Sequence, residues 1–161
     1  MGLKKGQAWG FDLILASMIF IFAILGFYMF VFNYSVDGEE TFNNLIYEGQ
    51  LVADSLLGEG HPIDWNETNV VTIGIMSENK INETKLNRFY NLTINDYDKT
   101  KRLFNVKYDY YINFSKPVYI GGSYQYIMGQ QNSNPKNLIR ISRFSIYDNT
   151  PITMNINIWA D

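Results

Sequence analysis

The chain of 161 residues contains no cysteine and a single histidine, His61. The missing thiols exclude disulfide scaffolds, cysteine nucleophiles, Cys-ligated zinc and iron–sulfur clusters. A single imidazole excludes metal sites that need several histidines and disfavours a Ser-His-Asp triad. No phosphate-binding loop, nucleotide fingerprint or paired base and nucleophile is found either. We therefore expect a protein that is not an enzyme and that holds no cofactor or metal.

Basic residues are also scarce, because 13 lysines and arginines stand against 16 aspartates and glutamates and give a net charge of -3. A nucleic-acid-binding protein usually carries a concentrated basic excess, so we expect no nucleic-acid partner. The length suits one ordinary domain with one appended element and is too short for two full domains.

The hydrophobic residues are unevenly distributed, since the run 11–32 contains one charged side chain, Asp12. At ~1.5 Å per residue, a helix over this run is about 33 Å long and spans a bilayer. Lys4 and Lys5 precede it, so the positive-inside rule places this end in the cytoplasm and the residues from about Asn33 onward outside. A cleaved secretory signal would have a shorter apolar core and a small-x-small site, which the sequence lacks.

Two lysines, a glycine and a glutamine stand before this apolar run, and this order resembles the class III signal peptide of archaeal type IV pilin-like proteins. In that family a prepilin peptidase cuts on the cytoplasmic side, so the apolar helix stays in the mature protein. The resemblance implies a cut between Gly6 and Gln7, with Lys4 and Lys5 orienting the segment in the membrane. An uncleaved signal anchor is the alternative interpretation.

The middle of the chain extends this resemblance, which covers most of residues 4–115. A Pro-x-x-Trp turn, an Ile-Gly strand end, an Asn-x-Thr-Lys-Leu helix start and a Tyr-Asp-Tyr-Tyr strand follow one another between 62 and 111. The family shows these features in the same order. We predict that Trp65 of the first motif packs into the core of the head as an anchor.

Asp12 has two interpretations. In the family, an acid just inside the mature helix is thought to meet the new N-terminal amine of a neighbouring subunit, which makes Asp12 a candidate assembly contact. It is the sixth residue counted from Gln7, one later than the usual glutamate. Alternatively, the carboxylate lies at the headgroup boundary and faces the positive end of the helix dipole.

The remaining sequence predicts an α+β head. Apolar residues at helical spacing indicate an amphipathic helix over about 39–57, and period-two alternation indicates strands with one buried face. We expect an antiparallel sheet of about four strands backed by that helix. The further predicted elements are strands at 70–76, 106–115, 123–128, 138–147 and 152–159, and helices at 82–90 and 95–104, each opened by an Asn cap. The chain thus divides into a signal peptide (1–6), a transmembrane or filament-core helix (7–36) and an extracellular head (37–161).

Five Asn-x-Ser/Thr sequons are present, whereas chance predicts about 2 for this composition. If the head lies outside the cell, we predict N-linked glycans on some of four candidates, Asn66, Asn82, Asn91 and Asn113. The fifth sequon, at Asn33, lies against the membrane or the filament core and is the least accessible. A surface rich in asparagine with unused sequons is the alternative.

The resemblance implies a structural subunit, a pilin, of an archaeal type IV-like extracellular filament used for surface attachment. The subunit would reside in the cell membrane, be processed by the prepilin peptidase, and enter a homopolymer through the pilus assembly machinery. Burial of the apolar helix against identical helices would supply the cohesive free energy. Two alternatives stay open. One is a minor pilin or pseudopilin that primes a filament or secretion apparatus, and the other is a signal-anchored surface binding module that does not polymerise.

Overall fold

The computed structural model describes the backbone of residues 5–33 and 36–161, and the side chains of residues 10–32 and 40–161. The chain divides into two compact units, Met1–Glu39 and Glu40–Asp161. The helices and strands are α1 (Lys5–Asn33), α2 (Val36–Leu56), β1 (Met76–Ser77), β2 (Lys80–Ile81), α3 (Glu83–Asn95), α4 (Tyr97–Phe104), β3 (Asp109–Ile120), β4 (Ser123–Gly129), β5 (Asn137–Tyr147) and β6 (Thr150–Ala160). An N-terminal apolar helix followed by a head with antiparallel strands confirms the predicted α+β class.

The sheet of the second unit has four antiparallel strands, the number that the sequence predicts, and their order is β4-β3-β6-β5. β6 has one apolar face, because Ile152, Met154, Ile156 and Ile158 are all buried, whereas Thr153 and Asn155 between them are half-buried. β5 and β6 pair without interruption from Asn137↔Ala160 to Tyr147↔Thr150. Every second side chain of β6 therefore faces the core.

The turn between β5 and β6 is tighter than the predicted link 148–151, because β6 already begins at Thr150. Asp148 and Asn149 both have positive φ, 46° and 56°. Two positive values in a two-residue loop are typical of the type I′ turn, whose twist matches that of the flanking strands, and Asp and Asn accept this conformation readily.

Helix α2 confirms the predicted amphipathic helix and begins at Val36, three residues earlier than expected. Its buried side chains include Leu45, Val52 and Leu56, whereas Phe42, which the pattern placed on the same stripe, is 51% exposed. Gly49 had counted against the helix because glycine is a weak helix former. A Cβ on Gly49 would lie 2.8 Å from Ile141 Cδ1 of β5, so the glycine allows the helix backbone to approach the sheet closely.

The predicted strand at 70–76 is wrong for most of its length. Only Met76 enters β1, and one isolated bridge joins Thr72 to His61. The segment is nevertheless in the core, since Ile73 and Ile75 are fully buried. Its backbone bonds to the end of α2: Ile75 N donates to Leu56 O at 3.1 Å. The β-rich composition therefore reflects burial beside a helix end, and no long strand partner is formed.

The two short helices are present, with one correction. Asn82 caps α3 as predicted, and its side chain accepts a hydrogen bond from Lys85 N at 3.0 Å. The second cap is Asp96, because α3 continues through Asn95. The Asp96 carboxylate accepts from Lys99 N at 2.9 Å, which is the capping bond to the third residue of the helix.

Trp65 confirms its predicted role as a packing anchor. The side chain is fully buried, and its indole Nε1 donates to Gly74 O at 2.9 Å. A buried indole requires such a partner, since an unpaired buried donor is costly. The core that surrounds it is formed from residues between Leu45 and Ile158.

Candidate functional sites on the apolar helix and the head

The first candidate site is the apolar surface of α1. Among the described residues, the segment Gly10–Phe32 is the one helix long and apolar enough to cross a membrane by length and composition, with a mean hydropathy of 2.5. None of its most apolar stretch is buried. Its side chains include 17 large hydrophobic groups that are exposed, among them Phe22 at 71% and Phe32 at 80%.

Burial of this surface would contribute a large hydrophobic free energy. Burial of one such side chain contributes about 1.5–3 kcal/mol relative to exposure, so the whole set is worth on the order of tens of kcal/mol. A helix that is apolar on all sides is typical of helices surrounded by lipid or by other apolar helices. By length and composition, this surface suits insertion into lipid or packing against other apolar helices.

Asp12 is exposed within this helix, and none of the three ion pairs among the described residues involves it. It lies seven residues after the first residue of α1, Lys5, which is about two helical turns. The helix dipole acts mainly within the first turn, so at this distance it contributes little to a carboxylate. Both interpretations of Asp12, the assembly contact and the headgroup position, stay predictions.

The predicted processing site falls largely outside the described residues. Lys4 lies outside them altogether, and Lys5, Gly6 and Gln7 lie on the backbone of α1 with their side chains outside the described set. The same holds for the side chain of Asn33. The orienting role of the lysines and the cut between Gly6 and Gln7 stay predictions.

Two of the four candidate sequons in the head lie outside the packed framework, since Asn91 is exposed and the half-buried Asn66 is in a loop. Asn66 is in the loop that follows Trp65, where its Oδ1 accepts from Thr68 Oγ1 at 2.7 Å and from Thr68 N at 2.9 Å. Asn91 lies on the exposed side of α3 and has one side-chain contact, to Glu67 Oε1 at 3.4 Å. Both amides can carry a glycan without loss of a core contact.

The other two sequons are part of the framework. Asn82 is half-buried and caps α3. Asn113 is half-buried in the middle of β3. The serine of its sequon, Ser115, accepts from Thr153 N at 2.9 Å through its hydroxyl. The structure thus ranks the four predicted acceptors, with the loop and helix positions ahead of the cap and strand positions.

Three cations of the head, one buried and two half-buried, are engaged in structural hydrogen bonds. Lys85 is 5% exposed, and its ammonium donates to Glu59 O at 2.8 Å and to Met76 O at 2.9 Å. Arg88 donates to Trp65 O at 2.6 Å, and Lys99 donates to Glu67 O at 2.6 Å. These three side chains hold the segment between α2 and α3 against the helices, which sequence reasoning did not foresee because the acceptors are distant backbone carbonyls.

A buried tyrosine pair is structural as well. Tyr97 Oη donates to Tyr110 O at 3.0 Å and accepts from Tyr110 N at 2.7 Å, while Tyr110 Oη is 2.5 Å from Thr100 Oγ1. Burial raises the pKa of both phenols well above the usual range. They therefore stay protonated near neutral pH and act as fixed hydrogen-bonding groups.

A groove on the head, which the sequence did not reveal, lies where α3 begins, β3 ends and the β5–β6 turn approaches. Its volume is about 690 Å³, and tyrosines from three strands line it: Tyr119 from β3, Tyr124 from β4 and Tyr147 from β5. The signal in the sequence was the tyrosine content, 12 residues, but the three lie in separate strands and only the pairing brings them together.

No protein-family model, no curated protein and no solved structure matches this chain.

Proposed function

We propose that the chain is a structural subunit, a pilin, of an archaeal type IV-like extracellular filament and that it polymerises through α1 for surface attachment. One observation carries the proposal: an exposed apolar helix is attached to a head whose buried core lies wholly between Leu45 and Ile158. Because the head has a hydrophobic core of its own, its fold does not require α1. The apolar surface of α1 is therefore available first to lipid and then to neighbouring helices.

The proposed route begins in the cell membrane. Lys4 and Lys5 keep the first residues in the cytoplasm, the prepilin peptidase cuts between Gly6 and Gln7, and the assembly machinery moves the subunit into the filament. The head lies outside the cell at every stage and carries glycans, first of all on Asn66 and Asn91. Transfer of α1 from lipid into a bundle of identical helices exchanges one apolar environment for another, so the large burial energy is kept.

We infer no catalytic role for the head. The buried groups that could do acid–base chemistry are already hydrogen-bonded within the head. Lys85 donates to two backbone carbonyls, and Glu48 accepts from two backbone amides. Tyr97 bonds to the backbone of Tyr110, and the Tyr110 hydroxyl bonds to Thr100. Such groups stabilise a rigid head, which is what a structural subunit requires.

A signal-anchored surface binding module is the second candidate. It is favoured by the fact that α1 would satisfy a single lipid span as well as a filament core, and by the groove on the head. A minor pilin would share the processing of the first candidate and be scarce in purified filaments.

Cross-linking through α1 tests polymerisation. Because the native chain has no cysteine, Ala23→Cys in α1 and Ser133→Cys in the head each introduce a single thiol at an exposed position. We expect a short bis-maleimide to convert Ala23→Cys into covalent dimers in the sheared extracellular fraction, because packed helices approach within about 8–10 Å. Ser133→Cys controls for random encounters of heads. Ala23→Cys that stays monomeric in both the sheared and the membrane fraction would contradict the proposal.

Asp12 has its own test with a matched control. If its carboxylate meets the amine of a neighbour, Asp12→Asn lowers the amount of sheared filament while the amount in the membrane is kept, and Asp12→Glu keeps both. If the carboxylate lies only at the headgroup boundary, Asp12→Asn yields as much filament as the native chain. Quantitative immunoblotting of the two fractions measures both amounts.

A further inference from the structure

We propose that the tyrosine groove of the head binds a neutral oligosaccharide. The groove is defined by Tyr119, Tyr124, Tyr147, Glu83, Lys116 and Asp148, above a floor that includes the buried side chain of Ile152. This inference is independent of polymerisation, since it concerns the head alone. Such a site would let the exposed surface of the head bind sugars.

Paired strands and ring contacts position the aromatic wall. Tyr119 and Tyr124 are direct cross-strand partners, and their rings meet edge to face with centroids 5.4 Å apart. Tyr147 Oη accepts from Tyr119 N at 3.0 Å, and this bond holds the Tyr147 ring against β3. A site on paired strands holds its groups more firmly than a site on loops. The rings therefore need little ordering when a ligand arrives.

The same rings are unusually open to solvent. Tyr124 is 72% exposed and Tyr119 is 40% exposed, although each ring has a large apolar face. The faces of tyrosine rings carry negative quadrupole charge, whereas the C–H bonds on one side of a pyranose ring are weakly positive and apolar. A sugar ring laid on these faces buries apolar surface on both partners and satisfies this charge pattern.

The rim supplies both kinds of hydrogen-bonding group. Glu83 and Asp148 offer carboxylate acceptors and Lys116 offers an ammonium donor, and none of them is in the three ion pairs among the described residues. Partial burial raises the pKa of Tyr147, and the charges of Glu83 and Asp148 raise it further, so its hydroxyl keeps a proton to donate. Sugar hydroxyls both donate and accept, and therefore match such a rim.

The charge of the groove narrows the ligand class. Two carboxylates against one ammonium disfavour phosphates, nucleic acids and acidic sugars. A purely apolar ligand would leave the three charged groups desolvated without partners, which is costly. A neutral, polyhydroxylated ligand meets neither penalty. The volume also falls within the range of about 300–1,000 Å³ that small-molecule sites show.

The test uses the full chain produced without glycans and held in a zwitterionic detergent, because a sugar-headgroup detergent would compete. Maltotriose, cellotriose and mannotriose are titrated separately up to about 10 mM, with saturation-transfer NMR and calorimetry as readouts. We expect at least one trisaccharide to bind, and Tyr124→Ala to weaken that binding at least tenfold. Tyr126→Ala is the matched control, since this residue lies on the same strand, is 54% exposed and does not line the groove.

Either of two results would overturn the proposal: no trisaccharide binds, or Tyr126→Ala weakens binding as much as Tyr124→Ala does. Unfolding curves of the two variants, measured alongside, ensure that a loss of binding reflects the groove and not the fold. Neither result bears on filament formation, because the measurement needs no filament.

Discussion

Replacement of Glu48 tests most directly how α2 is held against the segment that leads into β3. The residue is 8% exposed, and its Oε2 accepts from Lys107 N at 2.9 Å and from Tyr108 N at 3.0 Å, just before β3 begins. One side chain of α2 thus holds two backbone donors that lie 59 and 60 residues further along the chain. Glu48→Ala leaves both donors without their acceptor.

The magnitude follows from the kind of bond that is lost. A hydrogen bond to a charged group contributes about 1.5–3 kcal/mol net, so two bonds give roughly 3–6 kcal/mol. Lys107 is exposed, and its amide can find water after the substitution, which reduces the loss. We therefore expect Glu48→Ala to lower the free energy of unfolding by about 3 kcal/mol. Glu48→Gln retains an acceptor oxygen without the charge and is expected to cost about 1 kcal/mol.

Urea unfolding of the full chain in detergent measures these changes. Tryptophan fluorescence reports the transition, because Trp65 is fully buried in the folded head. Gln50→Ala, at an exposed position of the same helix, is the control and should change the free energy by less than about 0.5 kcal/mol. If Glu48→Ala were as stable as Gln50→Ala, the reasoning that this carboxylate joins α2 to β3 would be refuted.

Three further predictions concern the stability of the head, and unfolding measurements check all of them. Gly74→Ala should cost more than about 3 kcal/mol in the same urea assay, because the new Cβ would fall on backbone atoms of the loop after α2, which cannot rotate away, and a mild effect would contradict this. Burial raises the pKa of Tyr97 and Tyr110 above the ordinary 10.0, so the unfolded chain ionises first. The free energy of unfolding should be insensitive to these phenols below pH 10 and should fall above it by up to about 1.4 kcal/mol per pH unit for each, a slope that Tyr110→Phe should reduce. Asn82→Ala and Asp96→Ala should each cost about 1 kcal/mol by removal of a helix cap, and equal stability of both variants with the native chain would argue against the capping bonds.

Local patterns in the sequence were sufficient for the elements whose partners lie nearby. The alternation of Ile152, Met154, Ile156 and Ile158 predicts β6, because successive side chains of an extended strand point to opposite faces. The Asn82 cap follows from a side chain that bonds to a backbone amide three residues away. Both depend on geometry within a few residues.

The failures share a different cause, which is contact between distant segments. The run around Ile73 has strand composition, but its backbone partners are at the end of α2, so no long strand forms. Gly49 weakens a helix by itself, yet it is the position where α2 approaches Ile141. The bonds of Glu48 and Lys85 to remote backbone groups have no local signature, and neither has the tyrosine groove.

The most direct test of the proposed function is the N-terminal peptide of the native protein, measured by mass spectrometry in sheared extracellular material and in membranes separately. We predict a chain that begins at Gln7, with its N-terminus free or cyclised, in the sheared fraction. Residues 1–6 should be absent there. An unprocessed chain that retains Lys4 and Lys5 and occurs in membranes alone would contradict the filament and favour the anchored binding module.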